Sequence, residues 1–116
     1  MTRIYHNPRC SKSRAVLSLL EARGIEPEVV RYLETPPDAD TLRGIAGALG
    51  CSVGDFMRKG EALYRELGIA DGNHDEDALI RLIVDNPVLL ERPIVVHDGR
   101  AVIGRPPEAA LTLFDR

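Results

Sequence analysis

A helical run set between two short β-prone runs constrains this chain most. Arg3-Ile4-Tyr5 carries a β-branched and an aromatic residue and stops at the turn formers Asn7-Pro8. Behind Ser11 or Cys10, the residues Val16, Leu19, Leu20 and Arg23 recur at helical spacing, and Gly24 supplies the stop. Glu28-Val29-Val30-Arg31-Tyr32-Leu33 then reads as a second strand. A helix of that length between two strands makes a crossover, so the two strands are expected to be parallel.

Thr35-Pro36-Pro37-Asp38 reads as the start of another helix, with proline where a missing N–H costs nothing. Leu42, Ile45, Ala46 and Leu49 give that helix one apolar face, and Gly50 ends it. Short helical pieces are expected over residues 53–59 and 61–67, and Asp75-Glu76-Asp77 opens a further helix with Leu79, Ile80, Leu82 and Ile83. Residues 36–90 are thus read as a helical insertion. Strand signal returns at Pro93-Ile94-Val95-Val96, turns at Asp98-Gly99 and resumes over Arg100-Ala101-Val102-Ile103 as a hairpin with a two-residue loop. Gly104 breaks it, and Pro106-Pro107-Glu108 opens a last helix packing through Ala109, Leu111, Leu113 and Phe114. The expected class is α/β. The element order is that of a thioredoxin-like fold, with a four-stranded mixed sheet and the helical insertion between the βαβ unit and the C-terminal β-hairpin plus helix. Other small α/β sandwiches share parts of this order.

Composition sets bounds on function. With 116 residues, 44% hydrophobic and 28% charged, the chain is expected to form one domain over residues 1–116. Area scaling buries about two-thirds of its surface without a disulfide or metal staple. No apolar run approaches the ~20 residues of a membrane span, and the first residues lack an apolar signal core, so a cytoplasmic protein with no membrane partner is expected. The net charge of −3 argues against a nucleic-acid partner. Its distribution is uneven: Arg3, Arg9, Lys12 and Arg14 precede the first carboxylate, Glu21. A positive site on an acidic body suits a small anion.

His6-Asn7-Pro8-Arg9-Cys10-Ser11-Lys12-Ser13-Arg14 places a cysteine where strand gives way to helix. A free thiol of pKa ~8.5 is only about 3% ionised at pH 7. The unpaired N–H groups and partial positive charge of a helix start, with Arg9, Lys12, Arg14 and possible help from His6, favour the thiolate. Cys51 follows Gly50 with no basic cluster and reads as packing or an incidental thiol. The two cysteines lie too far apart in sequence for a zinc or CxxC motif, and scattered histidines give no metal site. Cys10-Ser11-Lys12-Ser13 lacks a second local thiol, so a resolving thiol comes from glutathione or a partner protein. Val16 stands where a phosphatase phosphate loop needs arginine.

Arg58, Arg92 and Arg105 lie near expected loop ends. The guanidinium fork suits a tetrahedral oxyanion, although each could equally be a solvated surface charge. His6 is either a supporting donor to the thiolate or a capped turn residue. His74 and His97 are expected on the solvent side, and Arg92-Pro93 is a candidate cis peptide.

The stretches Ile4-Tyr5-His6-Asn7-Pro8 with Cys10, Ser13-Arg14, Tyr32-Leu33-Glu34-Thr35-Pro36-Pro37, Met57-Arg58-Lys59, Glu91-Arg92-Pro93-Ile94-Val95-Val96 and Gly104-Arg105-Pro106 span nearly the whole chain. In them it resembles the glutathione- and glutaredoxin-dependent arsenate reductases of the ArsC family, and most closely their housekeeping branch. The resemblance implies that Cys10 is the nucleophile, that Arg58, Arg92 and Arg105 bind arsenate or a similar oxyanion, and that His6 supports the thiolate. It implies glutathione as co-substrate, glutaredoxin as partner and no tightly bound cofactor or metal. A monomer is expected. Two other readings share the fold: a glutathione-linked thiol transferase with no arsenate step, and an Spx-like regulatory binding protein. The latter usually switches through a Cys-x-x-Cys motif, which this chain lacks.

Overall fold

Four strands, β1 (Thr2–His6), β2 (Glu28–Arg31), β3 (Ile94–His97) and β4 (Arg100–Ile103), form one sheet in the order β2-β1-β3-β4. The computed structural model describes residues 2–114. It divides the chain into two compact units, Met1–Thr35 with Arg92–Arg116, and Pro36–Glu91. β1 pairs parallel with β2, joined by helix α1 (Ser11–Ala22), and antiparallel with β3; β3 and β4 form the hairpin. This mixed sheet and element order are the thioredoxin-like arrangement read from the sequence.

In the first unit, Ile4 and Val95 from the sheet, Val16 and Leu20 from α1, and Ala110 and Leu113 near the C-terminus form one buried cluster. Val16 and Leu20 lie one helical turn apart, so α1 presents both to the sheet. The hairpin turns at Asp98 and Gly99 with φ of 50° and 82°, the left-handed pair that a two-residue turn needs. Both Arg92-Pro93 and Arg105-Pro106 are cis; only the first was anticipated.

The last helix is a 3₁₀ helix over Pro107–Leu113 rather than the α-helix its residues suggest. Its buried residues, Ala110 and Leu113, are three apart, and three-residue periodicity stacks them on one face. β2 is two residues shorter than read. The Arg31 carbonyl accepts the N–H groups of both Glu34 and Thr35, which turns the chain out of the sheet while the Tyr32 ring remains fully buried. His97, expected on the solvent side, is half-buried, with its ring 4.5 Å from that of Phe114 and a 2.8 Å hydrogen bond to Thr2.

The second unit holds α2 (Ala39–Leu49), α3 (Ala62–Glu66) and α4 (Glu76–Asp85), with 3₁₀ turns at Val53–Phe56, Ile69–Asp71 and Pro87–Leu89. Asp38 and Asp75 cap α2 and α4 by accepting the N–H groups of Thr41 and Ala78, each at 2.8 Å. Leu42, Ile45 and Ala46 of α2 and Ile80 and Ile83 of α4 are buried, as the spacing of apolar residues predicts. The helical piece expected over 53–59 stops at Phe56. Met57 is extended and pairs with Leu90, the Arg58 N–H donates to the Leu89 carbonyl, and the Glu91 N–H donates to the Phe56 carbonyl. Pairing distant in sequence has overridden local preference there. No helix among the described residues is long and apolar enough to cross a membrane.

Candidate active site

Cys10 is the N-cap of α1, extended at φ −93° and ψ 122°. The turn before it is closed twice: the Cys10 N–H donates to the Asn7 carbonyl at 3.0 Å, and the Arg9 N–H donates to the Asn7 side-chain oxygen at 3.0 Å. Asp38 and Asp75 occupy the equivalent position in α2 and α4 and accept N–H groups from the first turn. Among the described residues no such side-chain bond is made at Cys10, and the first turn of α1 has no acidic residue. Cys10 therefore carries its sulfur where the other two helices carry a carboxylate. A negative charge there meets unbonded N–H groups and the positive end of a 12-residue helix. Cys10 is a free thiol and half-buried.

His6 and Ser13 form the buried floor under this turn. His6 Nδ1 and Ser13 Oγ share a 2.6 Å hydrogen bond, and Ser13 Oγ also accepts the Asn7 N–H at 3.1 Å. Ser13 thus ties the end of β1 to the first turn of α1. Burial, with the positive charges of Arg31 and Arg14, holds His6 below the ordinary histidine pKa. That direction disfavours a charged imidazole, and the bond to Ser13 gives His6 a part in shaping the turn. Arg14 spends a donor on the Pro8 carbonyl at 2.9 Å, and Arg3 is ion-paired with Glu28.

The structure places Arg92 and Arg105 together. Arg105 Nε donates to the Arg92 carbonyl at 2.8 Å, and the Gly104 N–H donates to the Pro93 carbonyl at 2.8 Å. Gly104 is buried, and a Cβ there would stand 2.6 Å from Val16 Cγ2 and 3.0 Å from Pro93 Cγ. Only a residue without a side chain lets the turn before Arg105 lie this close both to Pro93 and to Val16 of α1, the helix that Cys10 opens. Arg58 belongs to the second unit, where its guanidinium lies 3.1 Å from Glu61 and 3.9 Å from Glu91.

Cys51 is also in the second unit, just past the left-handed Gly50 that ends α2, and its N–H donates to the Ala46 carbonyl. Burial, then Asp55 and Glu76, push its thiol above the ordinary range. The sequence marks Ser13 and Gly104 as parts of the family-like stretches, but it gives Ser13 no role of its own and Gly104 only that of a strand break. Ser13 is three residues after the capping position, where a side chain can reach back into the preceding turn. The crowding at Gly104 depends on contacts distant in sequence and leaves no local signal. Among the described residues, no three His, Cys, Asp or Glu side chains are grouped to hold a metal.

A free cysteine sulfur at a helix start, set on the same unit as two guanidinium forks, is an arrangement suited to a small anion. Residues 5–113 match the model of the ArsC family. The chain is 59% identical to the uncharacterised protein YfgD of Escherichia coli K12, over 96% of this chain and 94% of that protein. It is 58% identical to a protein named arsenate reductase from Neisseria meningitidis serogroup A, covering 91% and 92% of the two chains. The solved structure of an arsenate reductase from Vibrio cholerae superposes with a TM-score of 0.93 at 48% identity, covering 96% of this chain and 95% of that one. Sequence, fold and family match agree: the chain is a member of the ArsC family.

Proposed function

We propose that the protein reduces arsenate to arsenite in the cytoplasm as a monomer, with Cys10 as nucleophile and glutathione and glutaredoxin as reductants. The observation that carries this reading is Cys10 at the uncapped start of α1, in the unit that also seats Arg92 and Arg105. The relatives named arsenate reductase support the substrate.

Arg92, Arg105 and Arg58 hold the oxyanion, as the resemblance implies, and neutralise charge that would repel a thiolate. The Cys10 sulfur attacks As(V); an As–O bond breaks and that oxygen leaves as water after protonation. A glutathione thiolate then attacks the Cys10 sulfur of the adduct: the Cys10–glutathione S–S bond forms, the S–As bond breaks, and its electron pair goes to arsenic, which leaves as arsenite. The two sulfurs supply both electrons. A glutaredoxin thiol then takes the glutathione and frees Cys10 as thiolate. His6 acts through Ser13 as a positioning residue, keeping the turn before Cys10 in place.

Arsenate-dependent NADPH consumption, coupled through glutathione, glutaredoxin and glutathione reductase, tests this. The expected result is a rate that requires arsenate, glutathione and Cys10 and is lost in Cys10→Ser. A rate unchanged in Cys10→Ser would overturn it. One observation favours glutathione-linked thiol transfer instead: Arg58 already faces Glu61 and Glu91, which an oxyanion would have to displace. Thiol transfer survives loss of Arg58 and Arg105, whereas arsenate reduction does not.

A further inference from the structure

A cleft of about 210 Å³ opens beside the turn that precedes Cys10, lined by His6, Asn7, Arg9, Arg31, Leu33 and Glu34. Its position follows from the sheet. β1 and β2 run parallel with His6 level with Arg31, so the cleft lies at the carboxyl ends of two parallel strands, where α/β folds bind ligands. One wall is the Asn7–Arg9 segment; the other is the turn closed by the Arg31 carbonyl.

The charges here are uncommitted. Arg3 is taken by Glu28 and Arg14 by the Pro8 carbonyl. Arg9, Arg31 and Glu34 are exposed, and among the described residues none makes a hydrogen bond or ion pair through its side chain. Leu33 adds an apolar surface that is 44% exposed. The larger cleft of about 350 Å³ beside α2 and α4 differs, because its Arg43 is already bound to Asp77 at 2.8 Å.

The geometry points to this cleft as the site that receives the thiol co-substrate of Cys10, a peptide thiol of the glutathione type with two carboxylates and one ammonium. This assignment rests on the reading of Cys10 as the reacting sulfur. Two guanidinium groups and one carboxylate match that charge set one for one. Arg31 and Glu34, at the two ends of one turn, take the amino-acid head group, and Arg9 takes the second carboxylate. The volume suits one end of a tripeptide, leaving its sulfur toward the turn that carries Cys10.

The test needs no arsenate. Cys10 thiolate attacks one sulfur of a disulfide RS–SR; the Cys10–S–SR bond forms, the old S–S bond breaks, and RS⁻ leaves and takes a proton from solvent. The rate of modification at Cys10 is measured by mass spectrometry with oxidised glutathione and with neutral bis(2-hydroxyethyl) disulfide. Their ratio cancels changes in the sulfur itself. In Arg9→Gln/Arg31→Gln the ratio is expected to fall about tenfold, while Lys12→Gln, a cation outside the cleft, changes it by less than about twofold. An unchanged ratio in the double variant, or an equal fall in Lys12→Gln, would overturn the assignment. Wild type modified by neither disulfide would overturn the underlying reading of Cys10 as well. No arsenate-dependent rate with the ratio effect intact would overturn only the arsenate step and leave the cleft assigned.

Discussion

Cys10 stands before the first turn of α1, and Cys51 follows the last turn of α2. The first meets N–H groups that no side chain caps, in a turn without acids and beside Arg9, Lys12 and Arg14. The second lies at the end where carbonyls point outward, with Asp55 and Glu76 and its own burial acting against a negative sulfur. The residue type is the same, and the helix end and the sign of nearby charge differ. On the reading proposed above, that difference makes Cys10 the reactive thiol and leaves Cys51 outside the chemistry.

Six substitutions, two of them controls, would break or sharpen that contrast. The largest effect is expected from Cys10→Ser, which should lower arsenate-dependent turnover by about 10³-fold or more, because a hydroxyl replaces the one sulfur of this chain that the mechanism uses. Cys51→Ser should keep most of the rate in the same coupled assay. Equal losses would mean that the two cysteines act as a couple.

Gly104→Ala comes next. It forces a methyl against Val16 and Pro93 and should cost about 1–3 kcal/mol, read as a lower thermal midpoint. Gly47→Ala, on α2 with open space where its Cβ would go, should not lower the midpoint. A midpoint unmoved by Gly104→Ala would show that the turn before Arg105 is not packed on Val16 and Pro93 as described.

Arg92→Lys should lower kcat/KM for arsenate by about tenfold, since a point charge replaces a fork. The alkylation rate of Cys10 should stay the same, which separates anion binding from sulfur reactivity. Unchanged kinetics would remove Arg92 from the site.

The smallest effect concerns His6. Its pKa is held below the ordinary histidine value, so near pH 6.5 and below the unfolded chain binds a proton that the native chain does not. Stability should therefore fall as pH drops from about 6.5 toward the native value of His6, and His6→Gln should flatten that part of the curve. Denaturant midpoints between pH 7 and 5 check this; an identical slope in the variant would mean that His6 is charged in the native protein.

The N-terminal βαβ unit, the hairpin and the position of Cys10 were legible because each has a local cause. Val16 and Leu20 repeat at helical spacing, Asp98-Gly99 fits the left-handed turn, and Asn7-Pro8 stops a strand. The misreadings fall where distant partners decide. Met57 and Arg58 lie in a run read as helical, but Met57 is extended and pairs with Leu90, and the Arg58 N–H goes to the Leu89 carbonyl. Leu33 was read as strand, but the Arg31 carbonyl closes the turn first. The sequence also hid what each arginine faces: Arg105 bonds the Arg92 carbonyl, whereas Arg58 faces two carboxylates. Residue type and loop position gave all three the same reading, and only their neighbours tell them apart.

Competitive alkylation of the native protein at pH 7 by limiting iodoacetamide, with Cys10 and Cys51 quantified by mass spectrometry, tests the central claim most directly. Cys10 should be alkylated at least about tenfold faster, as expected for a sulfur at an uncapped helix start against one that burial and two carboxylates hold as the thiol. Equal rates, or faster reaction at Cys51, would contradict the account.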